Sequence, residues 1–162
     1  MSDIVCNKSA HMPTEIVSRW AAHVAERFDV SNPGSSLARS GIGLHVSQAP
    51  VRALGKVVYG TWDPLLRRVE VFACHEGRSD EDVVATLAHE VWHMMEDARR
   101  ELAGQPITPD RDEQAAETFA SAWVRQLGPN AVRKCAAALR AQAGIGAALQ
   151  CHTNLGALGI GE

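Results

Sequence analysis

The stretch that most restricts how this chain can fold is residues 79 to 104, SDEDVVATLAHEVWHMMEDARRELAG. Val83, Val84, Leu87, Val91 and Met94 or Met95 recur at three- and four-residue intervals, which on a 3.6-residue helix gathers them on one face. Ser79 followed three residues later by Asp82 is a capping-box arrangement, and Asp80 and Glu81 suit the positive end of the helix dipole. Gly104 and Pro106 end the pattern. The rest of the chain must therefore pack around a long, capped, amphipathic helix.

Inside that helix lies His89-Glu90-Val91-Trp92-His93. Residues four apart project from one face, one turn apart, so both imidazoles can bind a single Zn²⁺. Glu90 is turned by about 100° from its neighbour. It stands beside the pair, able to reach a water on the metal without being a ligand. Zinc lowers the pKa of such a water from about 15.7 toward ~7, and the carboxylate takes the proton as the water attacks a carbonyl. Without a metal, the same letters describe an incidental pair on an amphipathic helix.

Catalytic zinc usually has three protein ligands and one open position. DRDEQAAETFASAW, residues 110 to 123, offers Glu113 near the start of a following helix, which a turn at GQPITP can fold back on the first. Glu117 and Glu96 are the alternative third ligands. With Glu113 as ligand, Glu117 stands one turn later on the same face, where it can accept a hydrogen bond from a ligand imidazole, and Asp112 can do so from the other side. Acids at a helix start also serve the dipole alone, so Asp110, Asp112 and Glu113 have that simpler explanation too.

The remaining elements are shorter. PTEIVSRWAAHVAERF, residues 13 to 28, reads as a helix, and SNPGSS as a break. GIGLHVS (41 to 47) reads as a strand, and KVVYGTW (56 to 62) and RVEVFA (68 to 73) as a hairpin turning at Pro64. Helices are expected from Pro109 to Leu127 and from Pro129 to about Ala143, before a glycine-rich tail. This order predicts an α+β fold: a small, mainly antiparallel sheet packed on an N-terminal helix, the histidine-bearing helix and a glutamate-bearing helix. One domain over residues 1–162 is expected, with about 1–12 and 145–162 peripheral.

With 46 % hydrophobic and 22 % charged residues and a formal charge of -3, the chain reads as an ordinary globular protein. It has no basic footprint for nucleic acid. No apolar run reaches the length of a signal peptide or the ~18 residues of a membrane span, so no membrane association and a cytoplasmic location are expected. The four cysteines are scattered outside any CxxC pair and are expected to be reduced.

TLAHEVWH followed by EQAAETFA resembles the minimal gluzincin metallopeptidases, in particular the group named for ImmA and IrrE. Those proteins pair HExxH with a downstream E-x-x-A-N-x-F-A-like segment. The resemblance covers roughly residues 56 to 124 and implies a zincin-like fold. It implies one zinc per chain on His89, His93 and Glu113, Glu90 as general base, and an intracellular endopeptidase acting on a regulatory protein. Glu117 stands where that group often has Asn. The alternative is a zincin-fold module that binds zinc and a protein partner without cleaving it. For a peptide substrate, VVYGTWD is the candidate docking strand. Gly60 would admit a close backbone, and Tyr59 or His75 could stabilise the oxyanion.

Overall fold

The computed structural model describes residues 12–48, 51–53, 55–73, 77–107 and 111–157. Helix α1 (Thr14–Arg27) and the short α2 (Pro33–Ala38) precede strand β1 (Gly43–Ser47). Strands β2 (Val51–Ala53), β3 (Lys56–Val58), β4 (Gly60–Asp63) and β5 (Arg68–Phe72) follow, then α3 (Asp80–Leu102) and α4 (Glu113–Ala157). The α+β class is as expected.

The sheet is mixed rather than mainly antiparallel. Its order is β1-β5-β4: β4 pairs antiparallel with β5, while β1 pairs parallel, with Gly43 opposite Arg68 and Ser47 opposite Phe72. The β4–β5 hairpin lies where its turn signals put it. Asp63 Oδ1 accepts the backbone N–H groups of Leu65 and Leu66, at 2.9 and 3.1 Å, closing the turn. The segment 56–62 is not one strand, however. It divides at Tyr59, and its first part pairs with β2 in a separate two-stranded ribbon turned at Gly55, whose φ is 74°. Local turn chemistry identifies hairpins, but nothing local to β1 announces a partner that arrives only after three intervening strands.

SNPGSS is also more than a break. Asn32 accepts the Ser35 N–H at 3.1 Å and Pro33 takes the first helical position, so the same letters that signal a turn cap the six-residue α2.

Helix α3 starts as its sequence demands, with both halves of the Ser79–Asp82 capping box formed. It ends in a Schellman arrangement: Gly104 N–H bonds Glu101 O at 3.1 Å and Gln105 N–H bonds Arg100 O at 2.8 Å, with Gly104 at φ 68°. Helix α4 is broken where Gly128 takes φ 80° and ψ 168° ahead of Pro129, the predicted junction of two helices. Its first described residues put the helix start at Glu113, while Pro109 lies outside the described residues. Beyond Ala143 the helix runs on to Ala157, further than its glycines suggested.

One apolar core joins these layers. Val69 and Val71 of β5 are fully buried where β5 packs on α3, and Val83, Val84 and Leu87 of α3 and Phe119 and Trp123 of α4 are fully buried in the same core. Aromatic contacts tie the helices together: Trp20 to Trp92 at 6.0 Å, Trp92 to Phe119 at 5.3 Å, and Phe28 edge-on to Trp123 at 4.9 Å between ring centroids. Ala115, Ala116 and Ala120 keep the facing side of α4 small, so it lies close along α3. That approach brings Glu113 to the two histidines. No helix among the described residues is long and apolar enough to cross a membrane.

Candidate metal centre

The two histidines emerge from the middle of α3, and Glu113 from the first turn of α4. His89 Nε2 lies 2.9 Å from Glu113 Oε2, and His93 Nε2 lies 3.1 Å from Glu113 Oε1. The two Nε2 atoms are 3.1 Å apart. Of the three acids weighed as third ligand, Glu113 is the one that joins both imidazoles, and the group His89, His93, Glu113 can hold a metal ion.

The other ring nitrogens bear on how this cluster could hold a cation. His89 Nδ1 is 3.1 Å from Glu117 Oε1, and His93 Nδ1 is 3.7 Å from Glu96 Oε2. The carboxylate at His89 Nδ1 favours the tautomer with its proton there, while His93 Nδ1 and Glu96 Oε2 are buried as an ion-pair contact without a hydrogen bond. With the protons on Nδ1, both Nε2 lone pairs aim at one another and at a third carboxylate. Such an arrangement is repulsive unless a proton or a metal ion lies among the three. The donor set of two imidazoles and one carboxylate suits zinc, and the separations approach the ~3.4 Å edge of a tetrahedron with ~2.1 Å metal–ligand bonds.

Glu117, one turn beyond Glu113, lies against His89 Nδ1. Glu96, weighed as a ligand, instead stands behind His93 and also receives Arg100 Nη2 on Oε1 at 3.3 Å. Its i+3 spacing from His93 and i+4 pairing with Arg100 were the available signals. Asp112 is buried and acts as the helix cap, its Oδ1 accepting Ala115 N–H at 3.0 Å.

Glu90 is only 8 % exposed. Burial raises its pKa above the ordinary carboxyl value, and the nearby imidazoles of His89 and His93 offset this only in part. Burial also pushes the His93 imidazolium down, but Glu96, then Glu113 and Glu90, outweigh it and the pKa rises. Burial pushes Glu96 up, yet pairing with His93 and Arg100 prevails and its pKa falls.

Gly60 packs directly against α3 beside Thr86 and Glu90. A Cβ there would stand 2.6 Å from Thr86 Cγ2 and 3.1 Å from Glu90 Cγ, so the space is taken by α3. Tyr59 lies under the Arg78 guanidinium, 4.2 Å from ring centroid to Cζ. His75 lies outside the described residues. Comparison with protein-family models, curated proteins and solved structures gave no match.

Proposed function

We propose that this chain is a zinc-dependent metallopeptidase of the HExxH gluzincin type, hydrolysing peptide bonds of a protein or peptide substrate. The observation that carries this reading is the convergence of His89, His93 and Glu113 beside a buried Glu90. A bound zinc would supply a Lewis acid, acidifying water and polarising a carbonyl. His89 and His93 would hold it through Nε2, with Glu117 and Glu96 fixing their rings, and Glu113 would add a carboxylate oxygen. Glu90 would take the proton of the attacking water and return it to the leaving amine nitrogen. Its raised pKa makes it a stronger base than an exposed glutamate and gives the proton a stopping place between the two steps.

Two measurements test this. Elemental analysis should find one zinc per chain, much reduced in Glu113→Ala. Glu90→Gln should keep the zinc and lose hydrolysis of a peptide mixture, read as new N-termini by mass spectrometry, by about 10²–10⁴-fold. Equal cleavage by wild type and Glu90→Gln would remove the base from this role. Zinc binding without any cleavage would favour a non-cleaving binding module.

A further inference from the structure

We propose that Asp97 is a positioning residue that fixes the third ligand of the metal centre; the inference rests on the metal-binding reading of His89, His93 and Glu113. Asp97 lies on α3 four residues beyond His93 and eight beyond His89, on the same stripe of the helix. It is 5 % exposed, and both oxygens are engaged. Oδ1 accepts the Arg111 guanidinium at 2.9 Å, and Oδ2 accepts the Trp62 indole N–H at 2.8 Å.

Arg111 stands two residues before Glu113, and its carbonyl accepts the Glu113 N–H at 3.0 Å. Glu113 itself is 64 % exposed at its side chain, so packing around that side chain does little to set its position. Its place depends on where the first turn of α4 is pinned. The Asp112 cap shapes that turn from within, its Oδ1 accepting the Ala115 N–H. Phe119 against Trp92 anchors α4 to α3 on the far side of Glu113. Asp97 with Arg111 anchors it on the near side, so the ligand is held between two fixed points. Through Trp62, the same carboxylate draws the edge strand β4 to this end of the centre.

Asp97→Asn separates the contacts, because the amide oxygen can still accept the indole N–H while the charge that holds Arg111 is gone. Zinc affinity is measured by competition with a chromophoric chelator, and stability by thermal unfolding of the metal-free chain. Asp97→Asn should bind zinc about 10–100-fold more weakly. Adding Arg111→Gln should cost no more, Arg111→Lys should retain much of the affinity, and Trp62→Phe should bind zinc like the wild type. A lowered metal-free Tm in both Asp97→Asn and Trp62→Phe, with wild-type zinc affinity in each, would reduce Asp97 to a structural tie and overturn the proposal. Should Asp97→Asn fail to fold, Arg111→Gln decides on the same two outcomes. A wild-type chain that binds no zinc overturns the metal reading and this proposal together; one that binds zinc, with Asp97→Asn unimpaired, overturns this proposal alone.

Discussion

His93 and His89 turn equivalent nitrogens toward one cluster, yet the two halves of the centre are built differently. His93 is 4 % exposed at its side chain and its supporting Glu96 is 5 % exposed, both on α3 with Arg100 behind them. His89 is 18 % exposed, and its supporting Glu117 is 73 % exposed and comes from the other helix. The first pair belongs to one rigid element and feels a low local dielectric. The second spans two elements and is screened by water, so its coupling is weaker for similar chemistry. One half of the site is a foundation laid with the fold, and the other is an adjustable rim.

The widest separation between the halves should appear in zinc affinity. Glu96→Gln should weaken binding about 10–100-fold, the usual cost of losing an oriented partner behind a ligand. Glu117→Gln should weaken it by less than about threefold, because water replaces an exposed carboxylate readily. Chelator competition on both variants reads this directly, and equal losses would dissolve the distinction.

A smaller effect should appear in stability against pH for the metal-free chain. The lowered Glu96 pKa contributes stability above its unfolded value, lost as pH falls through the folded one. The raised His93 pKa contributes stability below its unfolded value, lost as pH rises through the folded one. Both contributions coexist between about pH 4.3 and 6.5. The Tm deficit of Glu96→Gln, a few degrees, should be widest there and shrink on either side. The smallest effect is ionic: raising salt from about 0.05 to 0.5 M should erase what difference Glu117→Gln makes to zinc affinity and leave that of Glu96→Gln nearly intact.

How far the sequence foretold all this follows from the range of each interaction. The α3 helix was legible end to end, because its capping box, apolar stripe and terminal Gly104 are local signals that the tertiary structure reinforces. The break at Gly128-Pro129 was legible for the same reason. Glu113 and Glu117 could be chosen from helical spacing, since α4 had only to fold back once. The parallel pairing of β1 with β5 could not be read, because it depends on a crossing connection. The place of Glu96 depended on which side of His93 the second helix would occupy. Arg111 gave no signal, as its partner Asp97 lies fourteen residues away across an interhelical turn.

The crowding at Gly60 reaches beyond this one molecule. Where a strand lies this tightly against the helix beside a buried acid, a side chain at that strand position would crowd Thr86 and Glu90, so the acid's setting is guarded by a missing side chain. Descent would write that guard into sequences as a glycine twenty-nine positions ahead of the first histidine, with the interval free to vary through loops. Such a negative imprint, joined to His89, His93 and Glu113, offers a sparse signature by which distant kin of this chain can be sought where overall similarity has faded.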